Sequence, residues 1–483
     1  MCLPAVGVIS QASDDYCSMD APLHPLLRRR FLGGAGAGLS GIALAHLLQG
    51  EAQALEGPSH FPARARRVIW LFMHGGPSHV DLFDPKPALV RHAGSPLPES
   101  FGRVETRRKV SRNPLLAPVM PYQKHGQSGV EVSGFLPRMA ELSDEMCVIR
   151  SCHGDSVNHP QSVYQMNTGS ILMGRPSFGS WVAYGLGSEN ADMPAFVVLP
   201  DPGGGLKGGP PAWGSGFLPA AYQGTTLRPG ASPILHLESP QGIARQRATL
   251  DLVQQMNAAH LARHHDDEVR SVLDARIRSY ELAFRMQSAA PEAVDISRES
   301  EATRRLYGLD HATTREFGTR CLLARRMIER GVRFVQVYSG DTNGWDAHED
   351  VLKNHGELCA RTDGPVAGLL RDLRQRGLLE DTLVIWGGEF GRMPMSEKGV
   401  GRDHNPWGYT TVLFGAGVKH GHVHGATDEF GLRAEQDKVH VHDLHATLLH
   451  LLGFDHERLT YRHNGLDQRL TGVEGHVVKG VLS

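Results

Sequence analysis

The sequence predicts an α/β fold with a mostly parallel central sheet flanked by helices. Three observations carry that prediction. Short, nearly continuous apolar runs recur along the chain, the pattern of strands buried on both faces. Stretches with apolar residues three and four apart separate them, as in helices that cover a sheet. Acids and histidines gather just past the apolar runs, where a parallel sheet builds sites at its carboxyl edge.

Residues 1–54 read as an address rather than as fold. Arg28-Arg29-Arg30-Phe31-Leu32 opens a Gly/Ala/Leu-rich stretch that runs to Leu48, and Ala52-Gln53-Ala54 offers a small-residue cleavage point. That is the layout of a secretory signal, and paired arginines before Phe-Leu are of the twin-arginine kind. Gly33, Gly34, Gly36, Gly38 and Gly41 make the stretch a poor spanning helix. The expectation is export to the periplasm or cell envelope, with residues 55–483 as one mature domain that has no stable membrane span.

After a polar lead-in, residues 67–73 form the first expected strand, which runs straight into His74-Gly75-Gly76-Pro77. Residues 85–130, rich in Pro, Arg and Ser, read as an irregular insertion. Residues 146–150 and 195–199 are the next strands. Residues 201–232 form a Gly/Pro-rich loop, long enough to serve as a lid or binding loop. From about 240 to 330 the chain reads as a helical insertion, with Leu250, Val253, Met256 and His260 at helical spacing. Residues 332–338 are a strand, and 352–376 an amphipathic helix expected to break at Gly364-Pro365. Residues 382–386 and 410–414 are strands, and 442–452 a helix stopped by Gly453.

Composition narrows the function. The chain has 483 residues, 40% of them hydrophobic, enough for a large core. A net charge of -2 and the lack of a dense basic run give no reason to expect nucleic acid as a partner. Six cysteines in so long a chain are not a disulfide scaffold, although pairing of Cys147 with Cys152 stays open. No CxxC spacing is present, which removes the common structural zinc site.

The chemistry lies in the polar clusters. Divalent metals take carboxylates and neutral imidazoles. His74, His79, Asp81 and Asp84 follow the first strand; His153, Asp155, Asn158 and His159 follow the second. Asp341, Asp346 and His348 follow residues 332–338, Glu389 follows Trp386, and Asp403-His404 precedes the next strand. Such a set points to a metal-dependent hydrolase with a divalent metal, its identity (Zn, Mg, Mn or Ca) unresolved.

Met73-His74-Gly75-Gly76-Pro77-Ser78-His79-Val80-Asp81, Gly344-Trp345-Asp346-Ala347-His348 and the segments from Glu389 to His404 resemble the DUF1501 family of exported bacterial proteins. Glu389, then Asp403-His404-Asn405-Pro406 before a strand, and the late helix Val441-His442-Asp443-Leu444 resemble the wider alkaline-phosphatase/sulfatase superfamily. The resemblance implies an alkaline-phosphatase-like fold, a divalent metal centre and hydrolysis of phosphate or sulfate esters, small or polysaccharide. It implies metal ligands at His74, Asp346, His348, Glu389, Asp403 and His404. It places the catalytic groups at His153, Ser156, Asn158 and His159, with Arg392 gripping an oxyanion. The chain departs from the superfamily in carrying His74 where an Asp is usual and Glu389-Phe390 where an Asp-His pair is usual. The formylglycine signature of sulfatases is absent. Ser156 is expected to be either the nucleophile or a helix cap, with water on the metal as the other attacking group. The alternative function is a non-catalytic binding or scaffold protein with a degenerate metal site.

Overall fold

The computed structural model describes residues 59–228, 242–263 and 267–483. The signal expected at 1–54, and the end of the loop expected at 201–232, lie outside the described residues.

The apolar runs become the strands of one sheet. They are β1 (Arg67–Met73), β2 (Cys147–His153), β3 (Phe196–Leu199), β4 (Thr225–Thr226), β5 (Phe334–Ser339) and β6 (Thr382–Gly387). Next come β7 (Gly391–Glu397) and β8 (Gly401–Asn405), an antiparallel hairpin outside the sheet. β9 (Tyr409–Gly415), β10 (His422–His424) and β11 (Val439–His440) complete the set. The sheet order is β10-β2-β9-β6-β1-β5-β3-β4, with β11 also on β2. Every neighbouring pair is parallel except those of β9, which runs against both β6 and β2. The expected mostly parallel sheet is therefore present.

Period-two alternation sets the layers. On β1, Ile69, Leu71 and Met73 face a core shared with α5 (Ala312–Glu329) and α6 (Val351–Gln375). Val68, Trp70 and Phe72 face the opposite core, shared with α1 (His159–Thr168), α2 (Phe178–Leu186) and α7 (Val441–Leu451). Both faces are covered, which is why the strand sequences read as unbroken apolar runs. α3 (Ile243–Leu261) and α4 (Asp267–Val294) lie between β4 and α5 in sequence. Among the described residues no helix is long and apolar enough to cross a membrane.

The expected break at Gly364-Pro365 does not occur: α6 continues through it. Proline removes one helical hydrogen bond and crowds the carbonyl four residues back, at about 3 kcal/mol. Here that carbonyl belongs to exposed Arg361 and can turn towards water. Burial of Leu358, Val366, Leu369, Leu370 and Leu373 along the helix, at roughly 1.5–3 kcal/mol per side chain, outweighs the loss. Cys147 and Cys152 are free buried thiols. Five residues apart on one strand, they stand ~16 Å from each other, well beyond disulfide reach.

One buried ion pair ties the hairpin to the sheet. The Arg402 guanidinium on β8 donates to Asp81, with Nε 2.7 Å from Oδ2 and both side chains fully buried. Asp81 also accepts from Ser78 Oγ and the Val119 amide. Burial alone would raise the Asp81 pKa, but the Arg402 charge and these hydrogen bonds outweigh it and hold it below the ordinary value. Removing one partner of such a pair strands the other charge. Asp81→Ala is expected to lower unfolding free energy by about 3–5 kcal/mol in urea titrations at neutral pH. Because the folded-state pKa is depressed, this contribution is present above the ordinary aspartate pKa and fades as pH falls through the lowered value. The gap between wild type and variant should therefore close only in strong acid.

Candidate metal centre

β1, β2, β5 and β6 all point the same way, so their carboxyl ends deliver His74, the 154–159 turn, the 340–348 loop and Glu389 to one edge. β9 runs the other way, so the segment before it, carrying Asp403 and His404, reaches the same edge. Close backbone crossings fix these loops. Gly75, at φ +111°, lies where an added Cβ would meet the Trp345 amide at 2.5 Å. At Gly401 a Cβ would stand 1.9 Å from the His348 carbonyl oxygen.

Asp346 is the hub. His348 Nε2 and His404 Nε2 lie 3.0 and 3.1 Å from its Oδ1, and His159 Nε2 lies 3.0 Å from Oδ2. Each imidazole is held from behind by an atom that only accepts. His404 Nδ1 is 2.6 Å from the Val157 carbonyl, His348 Nδ1 2.6 Å from Glu397 Oε2, and His159 Nδ1 2.7 Å from Glu389 Oε1. Acceptors therefore stand at both nitrogens of each ring, Asp346 at Nε2 and these partners at Nδ1, and a ring with one proton fills only one of the two contacts.

Two cations already touch Asp346, Lys207 Nζ at 2.7 Å and Arg392 at 2.8 Å. Burial pushes the His404 imidazole down to about 3, so at neutral pH it carries one proton for two acceptors, the Val157 carbonyl at Nδ1 and Asp346 Oδ1 at Nε2. His159 Nε2 is buried with no hydrogen bond, its approach to Asp346 being out of line for one. Burial would raise the Asp346 pKa, but Arg392 and the three imidazoles hold it well below the carboxylate range. Imidazole nitrogens around a carboxylate are ligand types that divalent transition metals take, and His159, Asp346 and His404 bring one ligand atom each within 4.8 Å of one another. Ligands about 2.0–2.2 Å from an ion stand roughly 3–3.5 Å from one another, which matches the spacing here.

The expected ligands divide. Asp346, His348 and His404 converge, and His159, expected among the catalytic groups, joins them. His74, His159 and Glu389 form an adjoining group with one ligand atom each within 4.8 Å. Within it Glu389 accepts the Gly75 amide on both oxygens, at 2.9 and 3.1 Å, while holding His159. Burial would raise the Glu389 pKa, but the hydrogen bond with His159 and the neighbouring His74 outweigh it and lower it. His74 is engaged on both sides, Nδ1 on the Asp341 carbonyl at 3.1 Å and Nε2 on the Lys207 amide at 3.2 Å. Asp403 is fully buried and forms a third such group with His348 and His404, while accepting the Arg108 and His404 amides.

Other expected roles change. Arg392 is fully buried and faces no cleft: its guanidinium donates to the carbonyls of Gly75, Gly76, Trp345 and Arg402 and to Asp346 Oδ1 at 2.8 Å. It supports Asp346 from beneath, in place of the oxyanion grip expected of it. Ser156 Oγ donates to Gln161 Oε1 at 2.8 Å and accepts the Asn158 amide at 3.1 Å. The N-cap of α1 is Asn158, whose side chain donates to Gln161, so Ser156 is not the cap either. His153 lies apart from the cluster, its ring 5.0 Å from that of His440. His79, Asp81 and Asp84 take structural partners: Gly431, Arg402 and Lys86 respectively.

Two participants escape the sequence reading. Lys207 Nζ lies 2.7 Å from Asp346 Oδ2, and its side chain is 23% exposed. Its signal was its position as the one cation in Gly203-Gly204-Gly205-Leu206-Lys207-Gly208-Gly209. Glu397 on β7 left no signal, because only the hairpin fold brings it to His348.

The chain belongs to the family described as "Protein of unknown function (DUF1501)", whose model matches residues 65–482. No curated protein matches it. Similar solved structures include the sulfatase PsFucS1 from Pseudoalteromonas sp., with 12% identity over 86% of this chain and 72% of that one, at a TM-score of 0.34. A phosphonate monoester hydrolase from Silicibacter pomeroyi matches with 12% identity over 66% and 68%, at 0.31. The lipoteichoic acid synthase LtaP from Listeria monocytogenes matches with 10% identity over 88% and 78%, also at 0.31.

Because Glu397 orients His348 without touching the centre, Glu397→Gln is expected to weaken zinc binding about 10- to 100-fold. Competition with a chromogenic chelator, with circular dichroism to confirm the fold, measures it.

Proposed function

We propose that the chain is a metal-dependent hydrolase of anionic phosphate or sulfate esters, with the ion held by Asp346, His159, His348 and His404. The observation that carries this reading is the convergence of three imidazole Nε2 atoms on one carboxylate, each ring oriented from behind. The imidazole-rich set favours Zn²⁺ or a similar transition ion over Mg²⁺ or Ca²⁺. When bound, such an ion supplies Lewis acidity towards an ester oxygen.

The protein's own groups do the rest. Glu389, Glu397 and the Val157 carbonyl keep the rings in the tautomer that offers Nε2. Arg392 keeps Asp346 ionised and in place. Lys207, part-exposed on its glycine-rich loop, offers an ammonium group to a negatively charged ester oxygen once Asp346 binds an ion instead. Water is the attacking group in this reading. The Ser156 hydroxyl is occupied by Gln161 and Asn158.

One contact favours the second reading, a binding protein without catalysis. The Lys207 ammonium already sits on Asp346, and together with Arg392 it balances that charge without an ion.

Metal content and hydrolysis separate the two. Purified chain reconstituted with Zn²⁺ should retain metal through dialysis and cleave aryl phosphate, phosphodiester or aryl sulfate. Asp346→Asn should lose the metal of this centre and about 100-fold or more in kcat/KM. Lys207→Gln should raise KM more than it lowers kcat, as loss of a substrate-binding charge does. A reconstituted chain with no zinc dependent on Asp346 and no hydrolysis would leave the binding protein.

A further inference from the structure

The start of α7 carries a histidine pair that the proposed hydrolase does not use. His440 is the N-cap residue, fixed by a capping box with Asp443, and His442 follows two residues later. Their ring centroids are 4.8 Å apart. His440, His442 and Glu474 each offer a ligand atom within 4.8 Å of the others.

His442 repeats the orientation seen at the main centre. Its Nε2 is 2.6 Å from the Gly169 carbonyl and its Nδ1 2.9 Å from Glu474 Oε2, so acceptors stand at both nitrogens and a ring with one proton on Nε2 turns a lone pair to Glu474. The carbonyl that imposes this is itself rigid. Gly169 closes α1 in the left-handed conformation, at φ +71°, and an added Cβ would meet the Leu470 carbonyl at 2.5 Å. His440 differs in having both nitrogens engaged, and it takes an ion only by giving up its cap on the His442 amide or its contact with Asp155. Its Nε2 lies 3.3 Å from both oxygens of Asp155, and its Nδ1 is 3.3 Å from the His442 amide. The other titratable groups here are His153, with its ring 5.0 Å from His440, Asp443 and exposed His476, whose Nδ1 is 3.5 Å from Asp443.

We propose that His440, His442 and Glu474 form a second metal site that takes an imidazole-preferring divalent ion such as Zn²⁺. Two imidazoles and a carboxylate make a three-ligand set, and the exposure of Glu474 leaves room for water to complete the coordination. The Gly169 carbonyl supplies the backing hydrogen bond that metal-binding histidines commonly have. The ion would tether the segment around Glu474 to α7, where the His476 amide on Asp443 and the Val478 amide on Thr447 already hold it. The site shares no ligand with the Asp346 centre and stands independently of the proposed hydrolysis.

The test is zinc stoichiometry of the full chain by equilibrium dialysis and elemental mass spectrometry. The Asp346→Asn chain should still bind about one zinc, and adding Glu474→Gln or His442→Ala should remove it. In the otherwise wild-type chain, Glu474→Gln, a change at an exposed side chain, should lower the count by about one. That variant should leave any ester hydrolysis unchanged. Hydrogen exchange of residues 471–478 should slow on zinc addition in the Asp346→Asn chain and not in the Glu474→Gln chain. Equal zinc uptake with and without His442 and Glu474 would overturn the proposal and leave a proton alone between them. Zinc lost on Asp346→Asn but untouched by Glu474→Gln would do the same while leaving the main centre intact.

Discussion

The edge of the sheet is organised around keeping the carboxylate of Asp346 charged while it is nearly out of water. A carboxylate in that position is unfavourable by several kcal/mol unless positive charge and hydrogen bonds surround it. Arg392 meets that need from below, and four backbone carbonyls occupy its remaining donors, so it has no freedom to turn elsewhere. Three imidazoles and Lys207 surround the other side. The glycines at 75 and 401 follow from the same demand, since the chains bearing these groups must pass closer than a Cβ permits.

A second layer of acceptors makes the arrangement specific. Glu389, Glu397 and the Val157 carbonyl hold the outer nitrogens of the three rings and so fix which way each Nε2 faces. The acids expected to bind a metal thus separate by environment. Asp346 faces three ring nitrogens, Arg392 and Lys207, Glu389 faces a backbone N–H and a ring nitrogen, and Asp403 faces two amides. Burial raises the pKa of Asp403.

Much of the sheet was legible because strands buried on both faces leave continuous apolar runs, and those runs located the edge where the site lies. Asp346, His348 and His404 were legible for the same reason, being polar residues directly beyond or before such runs. His159 was legible as a site residue, but its direction was not, because that depends on Glu389, 230 residues away. Glu397 was invisible, since a glutamate on a surface-like hairpin looks like any other charged residue until the hairpin folds over His348. The break expected in α6 failed for another reason: local proline preference is weaker than the packing of the leucines around it. Ser156 looked like a nucleophile or a cap from its place before a helix, and a neighbouring glutamine side chain took it instead.

The bond between the Gly75 amide and Glu389 joins residues 314 positions apart, and that between Arg402 and Asp81 joins residues 321 apart. On a ribosome, the first strand emerges long before its partners at this edge exist. Neither contact can form until most of the polypeptide has been made, and closing loops of that size slows the search for the native pairing. In the interval β1 is an apolar segment with both hydrogen-bonding edges open, a natural substrate for chaperones. Assembly of the centre is thus a terminal event of synthesis, and a chain ending before His404 would carry most of the sheet and no complete ligand set.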